Sequence, residues 1–161
     1  MACITLDIDV AGTVAPDLDQ LLALAAECDA FLPGREEVEQ LWPGEPPRAV
    51  LRVMANAGIQ AAVINLGAGG SLGIRGGEII SMPAFPVMDN GGMGLGNVYA
   101  GAFAATYAGD QDLRRAMAWA AAAASVVVES NVLLGKVSEL GRKRVEARAR
   151  ILDRKMKALA D

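Results

Sequence analysis

Four glycines fall within six positions at the start of GGMGLGNVYAGAF, residues 91–103, and the stretch then runs into an apolar helical pattern. The backbone N–H groups of Gly94, Leu95 and Gly96 can hold an anion there, and the dipole of a following helix adds partial positive charge. The residue at the helix mouth is Asn97, an amide that neither takes up a proton nor carries charge. A second cluster, GAGG at 67–70, directly follows the apolar run QAAVINL at 60–66. A dinucleotide fingerprint needs a helix after its glycines, whereas SLGIRGGEIISM reads as a hairpin, so a Rossmann site is not supported. The turn at 91–97 lacks the lysine of a P-loop, which removes that reading too. The chain has no histidine, which excludes Ser–His and Cys–His catalysis and most transition-metal sites. Cys3 and Cys28 are too few and too far apart for a disulfide framework or a metal knuckle, and read as free thiols.

The elements that must position these residues follow from hydrophobic period and punctuation. ACITLDI at 2–8 reads as a strand, and 17–27 as a helix started by Pro16 and Asp17. AFL at 30–32 is a short buried strand ended by Pro33 and Gly34, before the helix REEVEQLW. Pro46 and Pro47 open a helix that a glycine stop ends near Gly58. The run 60–66 is continuous enough for a parallel strand covered on both faces. SLGIR and EIISM flank Gly76 and Gly77 as a two-residue hairpin, and two helices are expected at about 96–108 and 111–128. Strand–helix alternation, then a hairpin and a helix pair, predicts an α/β layered domain over 1–135, with a mostly parallel sheet flanked by helices. Residues 136–161 form a basic amphipathic C-terminal helix, expected over 137–160, whose Val145, Ala149, Leu152, Met156 and Leu159 repeat at 4-3-4-3 spacing. That seam suits packing on the domain or on a partner.

Composition bounds the rest. An apolar fraction of 53% and 161 residues suit one domain with a single core. From Lys136 onward nine Lys/Arg face four Asp/Glu, a net of +5, while the preceding residues carry −9, which together give the −4 of the whole chain. A basic tail on an acidic body can recruit a polyanion or complement the body itself, and the second role is favoured. Nucleic acid is disfavoured as a partner because no aromatic residues interleave with the basic ones and no binding module is present. No apolar stretch reaches the length of a membrane span, and no leader pattern is visible, so a cytoplasmic location is expected.

Several ordered motifs resemble one family. INLGAGGSLGIRGGEIISMPAFPV followed by GLGNVYAGAF is similar to the C-terminal half of the ribokinase-like (PfkB-type) carbohydrate kinases. Those proteins carry a strand ending in a Leu-Gly-x-x-Gly loop, a hairpin, a proline-flanked crossing and then D-T-x-G-A-G-D. FLPGREEVEQL resembles their F-x-P-N-x-x-E segment, and AAAAASVVVES resembles the helix that lines their nucleotide pocket. The likeness runs from about Ile4 to Glu129.

The resemblance implies a partial ribokinase-like fold that binds ATP with Mg²⁺ and transfers a phosphoryl group to a sugar or nucleoside hydroxyl. Gly94, Leu95 and Gly96 then form the anion hole, and Asn65, Gly67, Gly70 and Ala121 lie along the nucleotide. Glu37 organises magnesium through water. Asn97 stands where the family has its base, and Gly91 where the motif has its leading Asp. Gly34 replaces the Asn of the Asn-x-x-Glu segment, and Ala121 the Asn of the pocket-lining helix. An amide cannot supply a general base, which contributes roughly 10²–10⁴-fold, so slow transfer is expected. A cap ending a tight turn is a sufficient structural role for Asn97. The alternative reading is a non-catalytic nucleotide- or phosphate-binding scaffold derived from that fold. Family members are about twice as long, so the resemblance further implies a homo-oligomer or an N-terminal half not present here.

Overall fold

In the computed structural model, residues 3–8, 16–87, 95–130 and 139–159 are described. Strand β1 (Thr5–Leu6) leads to helix α1 (Leu18–Ala26), strand β2 (Ala30–Phe31), and helices α2 (Arg35–Leu41) and α3 (Pro47–Asn56). Strands β3 (Ala61–Asn65), β4 (Ser71–Arg75) and β5 (Glu78–Met82) follow, then helices α4 (Leu95–Asp110), α5 (Leu113–Ser130) and α6 (Glu139–Lys155), and strand β6 (Lys157–Leu159). Local chemistry sets several of these limits. Asp17 caps α1 by accepting from the Gln20 amide at 3.0 Å. Pro47 begins α3, where a missing N–H costs nothing. Gly76 and Gly77 take φ of +58° and +85°, the pair of positive values that a two-residue hairpin twisting with its strands demands.

The strands lie in sequential order, β1 to β6. The expected α/β layering is present, but the sheet is mixed: β1–β2 and β2–β3 are parallel, while β3–β4, β4–β5 and β5–β6 are antiparallel. The hairpin and the last strand supply the antiparallel share. Strand β6 corrects the sequence expectation that the helix continues to residue 160. Helix α6 stops at Lys155, and the next residues pair with β5, Ile79 opposite Leu159. An unpaired strand edge is a strong template, and three residues suffice to occupy it.

Period two sorts the sheet's side chains onto two faces. Ala61, Val63, Ile80 and Met82 face α4, α5 and α6, packing with Phe103, Met117 and Leu152. Ala62, Ile64, Ile74 and Ile79 face α1, α2 and α3, packing with Leu51 and Met54. Strand β3 is therefore covered on both sides, as its unbroken apolar run predicts. The seam of α6 divides accordingly. Val145, Ala149 and Leu152 are buried with α5, whereas Leu159, now on a strand, packs on the opposite face. No helix among the described residues is long and apolar enough to cross a membrane.

Candidate functional site

Where β2 and β3 end, the chain makes two turns side by side. The Asn65 amide donates to the Pro33 carbonyl at 3.1 Å, and Gly34 bridges Asn65 as a parallel partner, so the exits of both strands are tied. Asn65 then folds its own loop: the Gly67 amide donates to its Oδ1 at 3.0 Å. The Leu66 amide donates to the Gly70 carbonyl at 2.8 Å, closing a one-turn 3₁₀ loop over Gly67–Gly69. Gly70 sits at φ +88°, and a Cβ there would lie 2.2 Å from the Met82 carbonyl oxygen. Only glycine lets this loop press against the end of β5.

This loop, the segment 84–87, the first turn of α4 and one face of α5 enclose a cavity of about 420 Å³. Of the residues singled out in the sequence, Asn65, Gly67, Gly70, Leu95 and Ala121 line it together. Gly96 and Asn97 follow Leu95 in the exposed first turn of α4, among the N–H groups that a helix leaves without internal partners. Asn97 is the third residue of that helix, so the expectation that it caps the turn is corrected. Gly94 and Gly91 lie outside the described residues.

Glu37 is half-buried on α2 and is not part of the cavity's lining. Its Oε2 folds over Gly34, 2.5 Å from where a Cβ would stand, so the missing side chain at 34 is the space the carboxylate now uses. A glutamate can swing out of that position. No group of three or more His, Cys, Asp or Glu gathers among the described residues to hold a metal ion. A magnesium ion suits this arrangement only if it arrives with phosphate oxygens and water and takes a single carboxylate from the protein, which is its usual habit.

Sequence reasoning named the stretch AAAAASVVVES as pocket-lining but singled out only Ala121 on its cavity face. Ala124, Ser125 and Val128 follow Ala121 at 3, 4 and 7 residues along α5, one helical stripe, and Tyr99 follows Leu95 by one turn. That stripe is legible once Ala121 is known to face a cavity. Phe85 carries no such signal, because it belongs to a segment without a period. Tyr99 is buried and shares a 2.8 Å hydrogen bond with Ser71, in which either hydroxyl can be the donor. Burial pushes its phenol well above the ordinary range, and the Ser71 bond offsets this only in part. Tyr99 thus stays protonated at neutral pH and holds β4 against α4 rather than serving as a base.

A profile of the pfkB family carbohydrate kinases matches residues 6–133. The chain belongs to that family. A deoxyribokinase of Salmonella typhi is 31% identical over 117 residues, covering 68% of this chain and 38% of that protein. The tetrameric inhibited form of phosphofructokinase-2 from Escherichia coli superposes with a TM-score of 0.71 at 20% identity, over 92% of this chain and 46% of that one. A candidate ribokinase II from Escherichia coli, solved in complex with ATP and Mg²⁺, gives 0.63 at 21% identity, over 83% of this chain and 42% of that one. These structures share the ribokinase-like α/β fold with this pfkB-family chain. The chain spans about four-tenths of the length of the curated relatives it matches.

Proposed function

We propose that this pfkB-family chain carries the nucleotide side of a sugar or nucleoside kinase, binding ATP with Mg²⁺ in the cavity between the 67–70 loop and α5. The observation that carries this reading is the convergence of Asn65, Gly67, Gly70, Leu95 and Ala121 on one cavity beside the first turn of α4. The apolar wall suits a flat base, and the glycine loop lets backbone approach a phosphate. The N–H groups of Leu95 and Gly96, with Gly94, form the anion hole for the transferred phosphoryl group. Glu37 swings from Gly34 to orient magnesium through water. When bound, Mg²⁺ neutralises charge on the phosphate oxygens.

Asn97 stands in the base position on the exposed first turn of α4. Its amide can orient an acceptor hydroxyl by hydrogen bonding but cannot remove the proton. Transfer by this chain is therefore slow, with binding retained. The same residue favours a second reading, a non-catalytic nucleotide- or phosphate-binding scaffold.

Calorimetric titration with Mg-ADP tests the binding claim, and no heat at millimolar nucleotide defeats both readings. Turnover of ATP with a panel of sugars and nucleosides separates them. On the kinase reading Asn97→Asp raises the rate by roughly 10²-fold or more. On the scaffold reading the substitution changes nothing.

A further inference from the structure

The residue that connects this cavity to the C-terminal helix is Arg148. Its side chain is 11% exposed, against 43% for Arg144 one turn earlier and 76% for Arg142. The guanidinium sits 4.4 Å from the centre of the Phe85 ring, donates to Ser125 Oγ at 2.9 Å and pairs with Glu129. Phe85 and Ser125 both line the cavity, one on the irregular segment 83–87 and the other on α5. Ser125 donates its own proton to the Ala122 carbonyl at 2.7 Å, so its oxygen is oriented to accept from Arg148. Arg144 also pairs with Glu129, but no contact joins it to Phe85 or Ser125 among the described bonds. One side chain of α6 thus holds two walls of the cavity from behind. A planar cation on an aromatic face fixes the ring's tilt as well as its place.

We propose that Arg148 is a positioning residue that makes α6 part of the cavity wall, so that docking of α6 and filling of the cavity stabilise each other. The coupling is reciprocal: a ligand that binds the braced wall more tightly must also hold α6 in place. The proposal takes the ligand to be the nucleotide proposed above, and it places the basic tail in the service of that site rather than of a polyanion. A surface ion pair alone would not do this, since Arg144 and Arg148 share Glu129 equally.

Hydrogen exchange and calorimetry on the full chain test it with Arg148→Ala, Arg148→Lys and Arg144→Ala. Without ligand, Arg148→Ala speeds amide exchange at residues 84–87 at least fivefold, and Arg144→Ala does not. Mg-ADP slows exchange along residues 144–152 of the unaltered protein. Arg148→Ala weakens Mg-ADP binding tenfold or more, Arg144→Ala changes it less than twofold, and Arg148→Lys recovers part of the loss. Equal effects of the two alanine substitutions overturn the proposal, as does Mg-ADP that binds yet leaves exchange in α6 unchanged. The second outcome needs no variant and survives misfolding of any of them. If Mg-ADP does not bind at all, the nucleotide reading fails, and the ligand-free exchange at 84–87 alone decides whether Arg148 braces the wall.

Discussion

At the start of β2 a single carboxylate ties together three segments, whereas at the far ends of β2 and β3 the chain turns through glycines tied by backbone bonds, by the Asn65 side chain and by Arg35, which donates to the Leu66 carbonyl at 3.0 Å. Asp29 accepts from the Ile4 amide at 2.7 Å and from Gln111 Nε2 at 3.1 Å, joining β1, β2 and the α4–α5 corner. Arg75 donates to the Gln111 carbonyl and lies 5.7 Å from the centre of the Tyr107 ring. Gln111 adopts φ +53°, a strained value for a residue with a Cβ, and these bonds hold it there. The opposite end has the cavity, an Asn65 whose oxygen serves its own loop, and the first turn of α4, whose N–H groups have no partner within the helix. One end joins three segments through side-chain bonds, and the other is built of glycine turns and a helix start around a cavity. Binding loops are commonly positioned by a rigid scaffold, and the bonds of Asp29 supply one here.

Substitutions that separate the ends test the contrast. Gly70→Ala has the largest expected effect, since it adds a Cβ 2.2 Å from the Met82 carbonyl at a φ that alanine resists. It should lower stability by about 4 kcal/mol in urea denaturation and abolish nucleotide binding in calorimetry. Asp29→Ala should cost about 2 kcal/mol by the same denaturation, because it removes two bonds to a charged acceptor. Nucleotide affinity should stay within twofold, and a larger loss would mean the two ends are not independent.

Tyr99→Phe lies between the ends and has the smallest effect, about 1 kcal/mol at neutral pH, from the Ser71 hydroxyl left without its partner. Its pH dependence is more telling. The Tyr99 phenol is held above the ordinary value of 10 in the native state, chiefly by burial. The native chain therefore keeps a proton that the unfolded chain loses, and stability is full below pH 10 and falls as pH rises past it. Urea midpoints from pH 7 to 11 should fall less steeply in Tyr99→Phe. Some slope remains because burial also raises Tyr107.

The same contrast governs what was legible in the sequence. Elements with their own period or punctuation were readable: the unbroken run of β3, the Gly76–Gly77 turn and the proline start of α3 all stand where expected. Strand β6 was not, because Lys157, Ala158 and Leu159 have no strand signal and are recruited by the edge of β5. At the site, Asn65, Gly67 and Gly70 were singled out by the family resemblance, and the structure brings them to one cavity. Phe85 and Arg148 were not, since their roles arise from a contact across 63 residues of sequence. The Asp29 network was equally silent, being built by bonds between segments 25 and 82 residues apart.

The central claim is that the glycine loop and the first turn of α4 together hold a nucleotide's phosphates. A ¹⁵N–¹H correlation spectrum titrated with Mg-ADP tests it most directly. The account predicts saturable shifts at the amides of Gly67, Gly70, Gly96 and Asn97, with Gly76 and Gly77 at the hairpin unmoved. Shifts confined to the basic face of α6, or none at these four amides at saturating nucleotide, would contradict it.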